Sequence, residues 1–137
     1  MIINAEDLIL GRMATVAAKQ ALMGENVVIV NCEKAVLTGN KTQILAKYRA
    51  RRERGRPTKG PFIHRRSDMF VRRSIRGMLP YKQSKGSAAF KRIMCYKGVP
   101  PEFEGKEMIT IEKASVEKLP NTKFITVEHV CKWMGGS

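Results

Sequence analysis

The sequence is poor in cysteine and histidine, the residues that build metal centres and disulfide frameworks. Its three cysteines, Cys32, Cys95 and Cys131, lie 63 and 36 residues apart, which matches neither paired zinc ligands nor a secreted disulfide framework. Its two histidines, His64 and His129, have no adjacent acid or nucleophile with which to form a catalytic pair. We therefore expect buried free thiols, no metal site and no catalytic histidine.

Long apolar runs are also absent. No segment approaches the roughly 18 apolar residues of a membrane span. The first ten residues, MIINAEDLIL, carry acids where a signal peptide would carry basic residues. These features predict a soluble, cytoplasmic protein that has no membrane partner.

The nucleotide-binding motifs of enzymes are incomplete. The stretch TGNKT at 38–42 lacks the earlier glycine of a P-loop. The first β-α turn has one glycine, and the charges of Glu6 and Asp7 would repel a pyrophosphate. Acids in the centre of the chain are limited to Glu53 and Asp68, too few for a metal-dependent nuclease. We predict no cofactor, no small-molecule substrate and no enzymatic activity.

Positive charge is abundant and is concentrated in the middle of the chain. The sequence has 26 Lys and Arg against 12 Asp and Glu, a formal net charge of +14. Residues 1–40 and 99–137 each carry a net charge of −1, whereas residues 41–98 carry +16. Such self-repulsion indicates an acidic partner, either nucleic acid or an anionic membrane surface. We favour a nucleic acid, bound by one surface or extension of a folded body.

The most basic stretch, RARRERGRPTKG at 49–60, has almost no apolar side chains and cannot build a core. We expect it to extend a helix capped by Asn40 and then to form a loop, so that residues 49–66 are a basic extension. Its irregular Gly- and Pro-containing part suits an uneven RNA surface, and no helix-turn-helix or zinc finger offers major-groove reading. The N-terminus of the same helix, with Thr38 and Lys41, is a weaker candidate for a backbone phosphate.

The periodicity of apolar residues predicts a β-α-β start and further short elements. A helix begins at Leu10 and stops at Gly24, and the uninterrupted run Val27–Val30 is typical of a strand covered on both faces. The other predicted elements are a strand at 35–39, the helix after Asn40 with Ile44, Leu45 and Tyr48 facing the body, helices at 67–76 and 87–91, strands at 92–98 and 108–112, and a helix from Thr126 to Gly135.

The helix within SDMFVRRSIRGMLP, residues 67–80, has two faces at 100° per residue. The basic sector comprises Arg72, Arg73 and Arg76, and the opposite apolar sector comprises Phe70, Val71 and Ile75. We expect the first face to contact RNA and the second to dock on the body. Ser67 is expected to cap the helix, and Gly77 to adopt the left-handed conformation that ends it.

Four aromatic residues punctuate the basic centre. Phe70 and Phe90 lie on apolar helix faces and are predicted to belong to the core. Phe62 and Tyr81 are the better candidates for stacking on unpaired bases.

Five stretches of the sequence occur in a distinctive order: DLILGRMA (7–14), VVIVNCEKAVLTGN (27–40), GPFIHRR (60–66), RGMLP (76–80) and YKGVPP (96–101). Together they resemble the universal large-subunit ribosomal protein family numbered thirteen, most closely its archaeal and eukaryotic branch. The resemblance covers nearly the whole chain and is loosest from about Glu102 onward.

The resemblance implies an α/β fold, a three-layer α/β/α domain around a mainly parallel four-stranded sheet, and a single ribosomal protein domain over residues 1–137. It implies binding to large-subunit ribosomal RNA in the cytoplasmic ribosome, neighbouring large-subunit ribosomal proteins as partners, no homo-oligomer and no catalysis. Combined with the charge pattern, it predicts RNA contacts by Lys34, Thr38, Asn40, Lys41, Lys47, Arg49, Arg51, Arg52, Arg54, Arg56, Lys59, His64, Arg65, Arg66, Arg72, Arg73, Arg76, Lys82 and Lys85. A DNA-compacting protein, an RNA-modifying enzyme and a regulator of messenger RNA are the alternatives.

Overall fold

The computed structural model of the chain describes residues 1–56, 58–60, 62–120 and 123–135. Its strands are β1 (Ile2–Asn4), β2 (Val27–Val30), β3 (Val36–Thr38), β4 (Ile93–Cys95) and β5 (Phe124–Thr126). Its helices are α1 (Leu10–Leu22), α2 (Lys41–Glu53), α3 (Ser67–Arg76), α4 (Ser84–Lys91) and α5 (Val127–Trp133). The chain is therefore α/β, as predicted. Pro57 and Pro61 of the predicted basic extension, and residues 136 and 137 of the predicted domain, lie outside the described residues.

The central sheet is parallel, with the strand order β1-β2-β4. Ile3 of β1 and Cys95 of β4 both lie in register with Ile29, and all three side chains are buried. The β-branched run of β2 occupies the middle of this sheet, which is where an apolar strand without alternation is expected. Gly24 follows the end of α1 with a φ of +100°, so the helix stops where the sequence predicts.

The strand predicted at 35–39 exists as β3, but it belongs to a second sheet. It pairs antiparallel with β5, with Leu37 opposite Ile125. The sequence does not indicate β5, because Phe124–Thr126 runs directly into α5 with no turn residue between the strand and the helix. The antiparallel pair places the start of α5 beside Val36 and the approach to α2 beside the start of β5, where the Gly39 N–H donates to the Lys123 carbonyl oxygen at 3.0 Å.

The expected fourth parallel strand is not formed in the described residues. The stretch predicted as a strand at 108–112 makes only an isolated parallel bridge, between Ile109 and Ile3. The Ile109 N–H donates to the Ile2 carbonyl oxygen at 2.8 Å, and the Asn4 N–H donates to the Ile109 carbonyl oxygen at 3.0 Å. A single residue of the predicted strand, Ile109, thus pairs with β1.

The three-layer arrangement is also not confirmed. Helix α1 contacts both α3 and α4, so these three helices form one layer. On the sheet, Ile2, Val28 and Met94 lie in register, and Met94 is 43% exposed. After β4, the Tyr96 N–H donates to the Ile29 carbonyl oxygen at 2.8 Å, and the rings of Tyr96 and Phe103 pack with centroids 5.5 Å apart.

One cluster of buried side chains runs from Ile3 in β1 to Met134 after α5. All three cysteines are free and buried in it, as predicted. A hydrogen bond with the Cys95 side chain, together with burial, raises the pKa of the Cys32 thiol, and burial raises that of Cys131 to about 11. The thiols of Cys32 and Cys131 are therefore protonated at neutral pH and act as small apolar side chains.

Within the described residues, no helix is long and apolar enough to cross a membrane. The same part of the chain has no group of three His, Cys, Asp or Glu side chains arranged to hold a metal ion.

Candidate nucleic-acid interface

Helix α2 is amphipathic in its first half and basic in its second. The Asn40 side chain accepts a hydrogen bond from the Thr42 N–H at 2.9 Å, which confirms it as the N-cap. Ile44, Leu45 and Tyr48 are half-buried against the core, as predicted. The Trp133 indole N–H donates to the Leu45 carbonyl oxygen at 3.2 Å, so α5 holds this half of the helix. The second half has no buried residue and projects its arginines outward.

A tight turn follows α2. The backbones of Arg56 and Gly60 exchange two hydrogen bonds, each of 2.9 Å, and Gly60 is buried. Gly60 has a φ of +86°, a conformation that glycine adopts without strain. The exchange holds Gly60 beside Arg56 at the end of α2.

Helix α3 docks as predicted through Phe70, Val71 and Ile75, which are all buried. Both of its predicted ends are wrong, however. Ser67 is the first helical residue rather than the cap, and its hydroxyl is buried without a hydrogen-bond partner in the described residues. Gly77 has a right-handed φ of −64°, because the chain continues into further tight turns instead of reversing.

The three arginines predicted on one exposed face of α3 are not equivalent. Arg72 donates from Nε to the Ile93 carbonyl oxygen at 3.0 Å and from Nη2 to the Phe90 carbonyl oxygen at 3.1 Å. Its guanidinium carbon lies 3.9 Å from the centroid of the Phe90 ring. The Arg76 guanidinium lies 4.6 Å from the centroid of the Tyr81 ring, and its Nε is buried. Among the three, only Arg73 is exposed.

The helical wheel did not indicate these contacts, because it places side chains around an axis without showing what surrounds it. Helix α4 and the edge strand β4 lie next to Arg72 and supply backbone carbonyls to it. Arg72 therefore ties α3 to the C-terminal turn of α4, where a cation is favoured by the helix dipole.

Two open clefts lie side by side, one between α2, the loop and α3, and the other between the end of α2, the loop and Met134. The first, which we call the α3 cleft, has a volume of about 520 Å³ and is lined by Arg51, Arg54, His64 and Arg73 around Tyr48, Ile63 and Phe70. The second, the Arg65 cleft, has a volume of about 530 Å³ and is lined by Arg52, Arg54, Arg56 and Arg65, with Glu53. Phe62 and Ile63 line both clefts. Seven of the predicted RNA-contacting residues are thus brought together.

Aromatic rings support the α3 cleft. The Tyr48 and Phe70 rings pack with centroids 5.2 Å apart, and the Arg51 guanidinium lies 5.3 Å from the Tyr48 centroid. Burial raises the pKa of Tyr48 above its ordinary value. The phenol is therefore neutral at physiological pH, and the charge of the α3 cleft comes from its arginines.

Few of the predicted cations have an acidic partner. Arg49 pairs with Glu53 at 3.2 Å, and Arg66 pairs with Asp68 at 2.9 Å. Among the described residues, Arg51, Arg52, Arg54, Arg56, Arg65 and Arg73 have none. Instead, two guanidinium groups converge, since a Cβ on Gly135 would lie 3.6 Å from Nη1 of Arg65 and 3.7 Å from Nη2 of Arg52. Glu53, the one acid in the described lining of the two clefts, pairs with Arg49, and the excess of positive charge favours an anion.

The remaining predicted residues lie outside the two clefts. Lys34 faces Glu6 at 4.0 Å, next to an acidic loop. Asn40 uses its side chain as a helix cap, while Thr38 and Lys41 are exposed beside it. The Lys47 amine lies 5.7 Å from the Tyr48 centroid, and Lys59, Lys82 and Lys85 are exposed.

The aromatic predictions hold as far as burial is concerned. Phe70 is buried and Phe90 is half-buried, whereas Phe62 is 72% exposed and Tyr81 is 38% exposed. The set of binding residues predicted from charge omitted Phe62, although it stands between the clefts. The useful signal was an aromatic residue within a run of basic ones, FIHRR at 62–66.

Comparisons with known proteins identify the family of the chain. The family model described as Ribosomal protein L13 matches residues 1–102. The large ribosomal subunit protein uL13 of Methanosarcina barkeri is 45% identical, over 98% of this chain and 96% of its own. That of Methanocaldococcus jannaschii is 44% identical with the same coverage, and that of Archaeoglobus fulgidus is 41% identical over 98% of this chain and 86% of its own. The resemblance found in the sequence is confirmed, and the chain belongs to the ribosomal protein L13 family.

Proposed function

We propose that the chain is a structural constituent of the large ribosomal subunit, which binds large-subunit ribosomal RNA and stabilises it during assembly. The observation that carries the proposal is the pair of adjacent clefts, in which arginines from α2, the loop and α3 gather without acidic partners in the described residues. The names of the relatives, large ribosomal subunit protein uL13, support the same assembly.

The proposed contact is electrostatic and is made by an ordered surface. Helix α2 is anchored through its first half, so the arginines of its second half are held at fixed positions in front of α3. Arginine presents a planar fork of donors that matches phosphate oxygens. Contacts of this kind orient the protein on the RNA and do not depend on base sequence.

The chain has no catalytic part in this function. His64 lines the α3 cleft among arginines, and the described lining of that cleft contains no carboxylate that would form an acid–base pair with it. Membership of a ribosomal protein family agrees with a structural role. We place the protein in the cytoplasmic ribosome, not as a homo-oligomer, with neighbouring ribosomal proteins as further partners.

The proposal is tested by removing charge from the clefts without disturbing the fold. We would replace Arg51, Arg52, Arg54 and Arg56 by Ser, and compare this variant with a control in which the exposed Lys19, Lys106, Lys113 and Lys118 are replaced by Ser. Both variants lose the same charge, so a difference between them reports position. Affinity for large-subunit ribosomal RNA should fall strongly in the first variant and slightly in the second.

The salt dependence of binding gives a second readout. If about six to ten phosphates are contacted, the affinity of the wild type should fall by several orders of magnitude between low and physiological ionic strength. The slope should be clearly shallower for the arginine variant. Equal losses in the arginine and lysine variants, or tighter binding to duplex DNA than to ribosomal RNA, would contradict the proposal.

A further inference from the structure

Phe62 is an exposed aromatic ring with a fixed position. It is the most exposed large hydrophobic side chain of the described residues, at 72%. One side of the ring lies against the backbone of Gly60, since a Cβ on that glycine would lie 3.2 Å from Cδ2 and Cε2 of the ring. Gly60 is itself held by its paired hydrogen bonds with Arg56. The rest of the ring is open to solvent.

The ring stands between two sets of cations. On one side is the α3 cleft with Arg51 and Arg73, and on the other is the Arg65 cleft with Arg52 and Arg65. Arg54 lines both. An exposed aromatic ring flanked on both sides by positive charge is suited to a flat apolar group that carries negative charge on either side.

An unpaired nucleotide within an RNA strand has this chemistry. Its base offers a flat face for stacking on an aromatic side chain, and the phosphates on its 5′ and 3′ sides carry the negative charge. Bases in a continuous duplex are already stacked on each other and cannot reach the ring. An apolar protein partner would leave the arginines of both clefts without counter-charges, which is unfavourable.

We propose that Phe62 is a stacking platform for one unpaired base of RNA, and that the two flanking phosphates enter the α3 cleft and the Arg65 cleft. The proposal rests on the proposed function, because it requires RNA at this surface. It adds a preference for single-stranded segments, which positive charge alone does not provide.

The test compares the full chain and its variants for binding to a 12-nucleotide single-stranded RNA of mixed sequence and to the duplex of that strand with its complement. Phe62→Ala should weaken single-strand binding about 5- to 100-fold, the range expected from one stacked base. Its affinity for the duplex should change less than about twofold. Phe62→Trp should restore single-strand binding, since it keeps an aromatic face, and its added fluorescence should be quenched by the single strand but not by the duplex.

Two further variants serve as controls. Met23→Ala removes another exposed apolar side chain, which follows α1 and lines neither cleft, and should leave both affinities within about twofold. Phe62→Leu keeps an apolar side chain without a flat ring and should behave like Phe62→Ala. Urea unfolding of each variant checks that the fold is retained.

The possible failures are distinguishable. Unchanged single-strand binding by Phe62→Ala, or full affinity in Phe62→Leu, would overturn the stacking proposal while the arginine variant still tests the proposed function. Equal weakening of single-strand and duplex binding would also overturn it, because stacking on an unpaired base would not explain the loss. If the cleft arginines are dispensable as well, both proposals fail together.

Discussion

Arg72→Ala and Arg73→Ala form a matched pair, because the two arginines are adjacent on α3 and have different surroundings. The Arg72 guanidinium makes two hydrogen bonds to backbone carbonyls and covers the Phe90 ring. That of Arg73 is exposed on the rim of the α3 cleft. We expect the first substitution to destabilise the fold and the second to weaken RNA binding.

The magnitude follows from the contacts. A hydrogen bond to a charged group contributes about 1.5–3 kcal/mol, which we reduce to about 1 kcal/mol for each of the two bonds because Arg72 is half-exposed. A cation over an aromatic ring adds about 0.5–1 kcal/mol at a partly exposed site. Loss of the alkyl stem from its packing adds to this. Arg72→Ala should therefore lower the free energy of unfolding by about 2–4 kcal/mol, and Arg73→Ala by less than about 0.5 kcal/mol.

Urea unfolding followed by circular dichroism measures the first effect, and RNA binding at several salt concentrations measures the second. Arg73→Ala should reduce the salt slope by about one phosphate contact, whereas folded Arg72→Ala should keep the wild-type slope. Arg72→Lys should recover only part of the stability, since an amine cannot make both bonds and cover the ring. Equal stability losses in Arg72→Ala and Arg73→Ala, or a reduced slope for Arg72→Ala, would refute the assignment.

The remaining predictions concern glycine and cysteine. A Cβ on Gly86 of α4 would collide with the Pro80 carbonyl, so Gly86→Ala should lower the free energy of unfolding by at least about 1–3 kcal/mol. Gly11 lies in open space on α1, so Gly11→Ala should raise the free energy of unfolding by about 0.5–1 kcal/mol. Thermal or urea unfolding measures both, and equal effects of the two substitutions would contradict the packing described for Gly86. Gly77 has a right-handed backbone, and a Cβ there would make only an ordinary contact, so Gly77→Ala should change the free energy of unfolding by less than about 0.5 kcal/mol. A large loss of stability would instead support a left-handed conformation at Gly77. The raised pKa of Cys131 favours the protonated thiol in the folded state, so the free energy of unfolding should fall as pH rises from about 9 to about 11. The free energy of unfolding of Cys131→Ala should fall less over that range, and urea titrations at each pH measure the difference.

The local elements were largely predictable, because they depend on neighbouring residues. The helix cap at Asn40, the buried run of β2 and the apolar face of α3 each follow from a pattern within a few residues. Charge counting also located the basic surface, because the middle of the chain has too few acidic residues to neutralise its arginines in any fold.

Contacts between distant segments were not predictable. The carbonyls that bind Arg72 lie 18 and 21 residues further along the chain, and a helical wheel contains no information about them. Strand β5 becomes recognisable only through its pairing with β3, which lies almost ninety residues earlier. Gly77 fitted a common helix ending, but the turns that follow it keep the chain right-handed. In each case a single sequence shows which residue types are present and not what faces them.

The cleft arginines are the central claim for function, and co-sedimentation tests them most directly. A tagged copy of the full chain, expressed in its native cells, is followed through a sucrose gradient after a salt wash that strips loosely bound factors. The wild type should remain in the large-subunit peak, as should the variant with Lys19, Lys106, Lys113 and Lys118 replaced by Ser. The variant with Arg51, Arg52, Arg54 and Arg56 replaced by Ser should be depleted from that peak although it unfolds in urea like the wild type. Wild-type protein at the top of the gradient, or an arginine variant retained as well as the wild type, would contradict the account.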